Sequence, residues 1–173
     1  MDQDMQPFEP QTILHPTDYS PGSQAALCQA AALACAHGAG LVVLHVVPTL
    51  GAGPVSYGEA ASRRQPEGYH ERLWEEFRSQ VRWPAGLGHV ELVLREGDPA
   101  RAITLTAAEL GCELIVMAGH DRPGPGGWLF RGVAERVLRR APCSVLIVKE
   151  NQTAPAARSY PGPCGSPTSS RRW

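Results

Sequence analysis

Residues 12–47 read TILHPTDYSPGSQAALCQAAALACAHGAGLVVLHVV, and this stretch decides the fold class. Thr12-Ile13-Leu14-His15 is a short apolar run closed by Pro16-Thr17-Asp18. Ser20 and Pro21 then supply an N-cap and a first-turn proline for a helix that carries Ala25, Ala26, Leu27, Ala30, Leu33 and Ala34 to a stop at Gly38. Leu41 to Val47 is apolar almost throughout, as in a parallel strand covered on both faces. Strand, helix, buried strand is one βαβ unit.

The same alternation continues outward. Glu67 to Arg82 has helical spacing, with Tyr69, Leu73, Trp74, Phe77 and Val81 on one side, and Pro84 ends it. Val90–Leu94 is a third strand, and Gly97-Asp98-Pro99 opens a third helix that runs to Gly111. Glu113–Ala118 is a fourth strand, a glycine-rich turn leads to a helix from about Trp128 to Arg140, and Ser144–Val148 is the last strand. Strands alternating with helices predict an α/β fold: a single doubly wound domain on a five-stranded parallel sheet, with helices on both faces. Pro48 to Pro66 lacks periodicity, and a connection of that length is a candidate for function. The expected organisation is an N-terminal extension over 1–10, one domain over 11–150 and a disordered tail over 151–173. From Ala154 onward the tail has four prolines, four serines and no acid, too little to bury a core.

Composition narrows the function. Sixteen basic and seventeen acidic residues nearly cancel, so nothing global draws the chain to nucleic acid or an anionic membrane. The single lysine, Lys149, follows no glycine-rich loop, which excludes a P-loop. Five cysteines make no CxxC pair or zinc spacing, so no metal is expected, and Cys28 and Cys35, seven apart, read as small buried side chains. No GxSxG elbow supports hydrolase chemistry, so no catalytic residue is assigned. The acidic start, Met1-Asp2-Gln3-Asp4, is unlike a signal peptide, and a cytoplasmic location is expected.

In an open sheet of this kind a ligand binds outside the carboxyl ends of the strands where the winding reverses. Two loops meet that description. The turn after strand one carries Pro16, Thr17, Asp18 and Ser20, and the turn after strand four carries Gly119, His120 and Asp121. Asp18 and Ser20 read equally well as helix-capping groups. His15 and His45 fall inside strands, where a satisfied core or sheet-end role is expected.

Five blocks of sequence, in order, resemble the universal stress protein family. They are Ile13 to Ser20, Leu44 to Val47, Glu96 to Pro99, Leu114 to Met117 and Val133 to Val148. The resemblance spans about residues 11 to 149 and implies a strand order of 3-2-1-4-5, a stress-response role and a homodimer formed through the edge strand Ser144–Val148. Members that bind ATP resemble one another in a loop G-x2-G-x9-G-[S/T] after strand four. Here the motif positions fall on Ala118, Asp121, Arg131 and Gly132, or, shifted by one, on Gly119, Arg122, Gly132 and Val133. Neither register is complete, and a carboxylate at Asp121 repels a triphosphate. Thr17, Asp18 and Val46 resemble the family's base-side positions. The candidate nucleotide site is therefore Pro16, Thr17, Asp18, Val46, Met117, Gly119, His120, Arg122, Arg131 and Gly132. The reading is a non-catalytic, homodimeric module with no required cofactor and without tight ATP binding. The alternatives are an ATP- or AMP-binding member with slow ATPase activity, an adenylyl-transferring enzyme of related fold, whose His- or Ser-rich phosphate signature the sequence lacks, and a scaffold that recruits a partner through the 48–66 loop or the tail.

Overall fold

A strand that is apolar on both sides needs a helix layer above and below it, and four helices among the described residues serve that purpose. In the computed structural model the elements follow as β1 (Thr12–Thr17), α1 (Pro21–His37), β2 (Gly40–Val47), α2 (Tyr69–Gln80), β3 (His89–Glu96), α3 (Pro99–Glu109), β4 (Leu114–Gly119), α4 (Val133–Leu138), β5 (Ser144–Lys149) and β6 (Thr168–Arg172). The structure describes residues 8–48, 67–81, 87–119 and 132–149, together with the backbone of 168–172. His120, Arg122 and Arg131, the expected helix start at Trp128, and the 48–66 connection apart from Pro48 lie outside the described residues.

The sheet is parallel, in the order β5-β4-β1-β2-β3-β6. Its first five strands have the expected 3-2-1-4-5 order. The sixth corrects the reading of the tail: Thr168–Arg172, expected to be disordered, pairs in parallel register with His89–Val93. Composition bears on core burial. A strand added to an open edge is held by backbone N–H and C=O groups instead, and these do not depend on apolar side chains.

Alternation along the strands sorts the core into two layers. Ile13, Leu41, Val43, Leu92 and Val116 pack with Leu27, Ala30 and Ala34 of α1 and Trp74 and Phe77 of α2. Leu14, Val42, Leu44, Val93, Ile115 and Met117 pack on the opposite face with Ile103 and Ala107 of α3 and Val137 of α4. The alanine stripe of α1 lets that helix lie close on the sheet centre. It begins at the Ser20 N-cap, whose hydroxyl accepts from Ser23 N at 3.1 Å, and ends at Gly38, where φ of 65° suits a residue without Cβ. The buried stripe runs through Ala26, Leu27, Ala30, Ala31 and Ala34, leaving Cys28 half-buried and Cys35 exposed. The expected burial of Cys35 is thereby corrected, since residue 35 falls one position off the stripe. Helix α4 is only six residues long within the described region, ending at Leu138 rather than Arg140.

Candidate functional site

The winding reverses between β1 and β4. Towards β2, β1 is paired along its whole length, from Thr12↔Gly40 to Thr17↔His45. Towards β4 the pairing covers only Ile13↔Leu114 and Leu14↔Ile115, although β4 continues to Gly119. Pro16 contributes no N–H, so a ladder running past it loses a donor. The strands part at their carboxyl ends, where His15 bonds across to β4 and His45 bonds from β2 to the end of β1. His15, fully buried, makes a 2.9 Å bond from Nδ1 to the Val116 carbonyl. His45 Nδ1 bonds the Thr17 carbonyl, also at 2.9 Å. A carbonyl can only accept, so each Nδ1 carries the proton.

Burial holds both rings neutral. It lowers the pKa of His15 to about 4, against the opposing pull of the Val116 carbonyl and the Asp18 charge. It lowers His45 as well, opposed by the Thr17 carbonyl, Glu76 and Asp18. His15 Nε2 faces Ser23 Oγ at 3.5 Å, and Ser23 Oγ lies 3.0 Å from Thr17 Oγ1. Tyr19 stacks on His45 with ring centroids 4.4 Å apart and takes a left-handed φ of 63°, unusual for a residue with a Cβ. Burial, followed by the Glu76 charge, pushes its hydroxyl pKa up.

The candidate residues divide by face. Val46 and Met117 are buried in the α3/α4 layer, and Pro16 alternates onto the same side as Leu14. Thr17 shares parity with His15 and turns towards α1, where its hydroxyl oxygen also accepts from Tyr19 N at 3.2 Å. Asp18, exposed on the turn, accepts from Ser20 N at 3.0 Å and from the Ser20 hydroxyl at 2.6 Å through one oxygen, Oδ1. Gly119 ends β4 opposite Lys149, and Gly132 precedes α4 with no side-chain cap bond. The structure therefore brings Pro16, Val46 and Met117 onto one apolar face at the parted strand ends and sets Thr17 on the other. Among the described residues no group of three or more His, Cys, Asp or Glu could hold a metal ion. No helix among them is long and apolar enough to cross a membrane.

One feature beside the site was not legible beforehand. Asp98 caps α3 by accepting from Arg101 N at 2.9 Å and also takes both terminal nitrogens of Arg136 in α4, at 2.8 and 2.6 Å. The Arg136 guanidinium, then the cap bond, holds the Asp98 carboxyl below its usual range. This fork clamps α4 to the start of α3. A cap at Asp98 is readable from Gly97-Asp98-Pro99, whereas a partner 38 residues away is not.

Residues 10–149 match the profile of the universal stress protein family. The chain belongs to that family. Among relatives of this universal stress protein, one from Thermus aquaticus is 33% identical over 141 residues, covering 80% of this chain and 98% of the relative. One from Methanocaldococcus jannaschii is 32% identical, covering 80% and 81%. Among solved structures, a universal stress protein in complex with cAMP superposes with a TM-score of 0.56 at 24% identity, covering 82% of this chain and 98% of that one. The universal stress protein UspA from Lactobacillus plantarum gives 0.54 at 23% identity, covering 80% and 97%. At those identities the structures attest the shared fold.

Proposed function

We propose that this universal stress protein is a homodimeric, non-catalytic binding module whose β1/β4 crevice takes the adenosine part of a nucleotide and holds ATP weakly. The observation that carries the reading is the apolar face of Pro16, Val46 and Met117 at the parted strand ends, next to the exposed turn of Asp18. A flat base buries its faces against apolar side chains and finds its polar partners at the rim. A universal stress protein of the same fold is described in complex with cAMP, an adenine nucleotide. Against a triphosphate stands the sequence after β4, with Asp121 and Arg131 at positions where ATP-binding relatives resemble one another in glycine.

The homodimer is supported by the open edge strand β5, in which Leu146 is 40% exposed and no lysine or proline interrupts Ser144 to Val148. Calorimetric titration of the purified protein with AMP, adenosine and Mg-ATP tests the proposal. AMP is expected to bind more tightly than ATP, with no phosphate released from ATP. Tight, magnesium-dependent ATP binding would overturn it in favour of a nucleotide-binding member with slow ATPase activity.

A further inference from the structure

The sheet has two edges of different character. At one, β5 is open. At the other, β3 is paired with Thr168–Arg172, the register running from His89↔Thr168 to Val93↔Arg172. Without that cover β3 would be an exposed strand of eight residues. Val90, Leu92, Val93 and Leu94 are each no more than 2% exposed within the two core layers, and the strand contains neither lysine nor proline. Such an edge, eight residues long and free of lysine and proline, templates pairing with another chain. It is also self-complementary: two copies meeting antiparallel about a two-fold axis through Val93 would set Glu91 opposite Arg95 on both sides of the axis.

We infer that the C-terminal segment Thr168–Arg172 is a displaceable cover of the β3 edge that prevents a second copy of this chain from pairing there, so that association is directed to the β5 edge. The segment can reach its place. Eighteen residues lie between Lys149 and Thr168. Crossing from one edge of a six-stranded sheet to the other takes about 24 Å, and eighteen residues can extend to roughly 60 Å. The cover is also weak enough to be exchanged. Ser, Thr and Arg offer little apolar surface, so the pairing rests on ladder bonds whose net gain is close to the entropy of ordering the residues that make them. Displacement would leave each wild-type assembly with two further open edges, and pairing through both β3 and β5 builds open chains rather than a closed dimer.

The test is made in the full chain with Ser169→Pro plus Ser170→Pro, which removes the N–H donor facing β3 whichever of the two residues supplies it. Ser169→Ala plus Ser170→Ala, which keeps both donors, is the control. Hydrogen exchange over His89–Glu96 is expected to accelerate about tenfold or more in the proline variant and to stay unchanged in the alanine variant. Light scattering should show the proline variant growing beyond the wild-type size as concentration rises. A synthetic peptide spanning Ser166 to Trp173, added in excess, should restore both protection and size. Unchanged exchange in the proline variant would show that the segment does not cover β3. Faster exchange without added association, or association that the peptide leaves in place, would show that the cover does not govern pairing between copies.

Discussion

The imidazole of His15 and the carbonyl of Val116 are joined by a 2.9 Å hydrogen bond at the point where β1 and β4 cease to pair as strands. The bond substitutes a side chain for a rung of the ladder, so the two strands separate without leaving the Val116 carbonyl unpartnered in the core. A buried carbonyl left without a donor costs about 1–3 kcal/mol. The crevice is thus built into the sheet by one residue that is long enough to reach across the gap.

Burial of the His15 ring makes stability pH-dependent. His15 titrates near 6.5 when unfolded and near 4 in the native protein, so below pH 6.5 the unfolded chain binds the extra proton. The stabilisation is complete above pH 6.5 and is lost as the pH falls through the window to 4. The loss is roughly 3 kcal/mol from His15 alone. His45, lowered in the same direction, adds to the slope. Urea unfolding at pH 7 and at pH 4.5 should show the loss, and His15→Gln, which can still donate but does not titrate, should flatten it. Equal slopes for the two proteins would refute the assignment.

Asp98 and Arg136 should respond unequally to truncation. Asp98→Ala removes both the α3 cap and the fork, and loss of the cap alone costs about 1 kcal/mol. Arg136→Ala keeps the cap, so its effect on the denaturation midpoint should be smaller and should disappear in high salt, as for other exposed ion pairs.

Leu146 and Ile147 are neighbours with opposite surroundings. Ile147 packs against the α3/α4 layer, whereas Leu146 is 40% exposed on the edge strand. Leu146→Arg is expected to yield a folded monomer by light scattering, and Ile147→Arg a chain that loses its cooperative melt. A Leu146→Arg protein of unchanged size would remove β5 from the proposed dimer.

Restoring the phosphate loop should strengthen ATP binding. With Ala118→Gly, Asp121→Gly, Arg131→Gly and Gly132→Ser together, each backbone N–H that gains a charged phosphate partner is worth about 1.5–3 kcal/mol. Calorimetry should show the gain for ATP and little change for adenosine.

Thiol labelling should separate two cysteines. Cys35 is exposed, whereas Cys112 is 5% exposed, with burial foremost and then Cys143 and Glu91 pushing its thiol up to about 12. Alkylation at pH 8 followed by peptide mass spectrometry should find Cys35 modified first and Cys112 modified only on unfolding.

Much of this was readable in advance, for reasons tied to particular residues. The run Leu41–Val47 and the alanine stripe of α1 are local periodic signals that the tertiary structure reinforced. The division of the candidate site was also latent, because Pro16 alternates with His15 and Thr17 and so takes the other face. The bonds His15–Val116 and Asp98–Arg136 join residues 101 and 38 positions apart, and no local pattern marks them. Strand β6 escaped because pairing at an edge draws on the backbone, which every residue shares, while composition reports only side chains.

The position of β1 has a consequence for synthesis. Among the described strands it is made before the others and lies between β2 and β4, so one side is completed by residues that follow closely and the other waits for Leu114 and Ile115. At ribosomal speeds of roughly 5–20 residues per second, that interval is about 5–20 seconds. During it β1, β2 and β3 can assemble with α1 and α2, while His15 lacks its carbonyl and the apolar flank of β1 lies open. The crevice is therefore the last part of the centre to form, and a nascent chain that stalls before β4 would present the open apolar flank of β1 to whatever chaperones attend the ribosome.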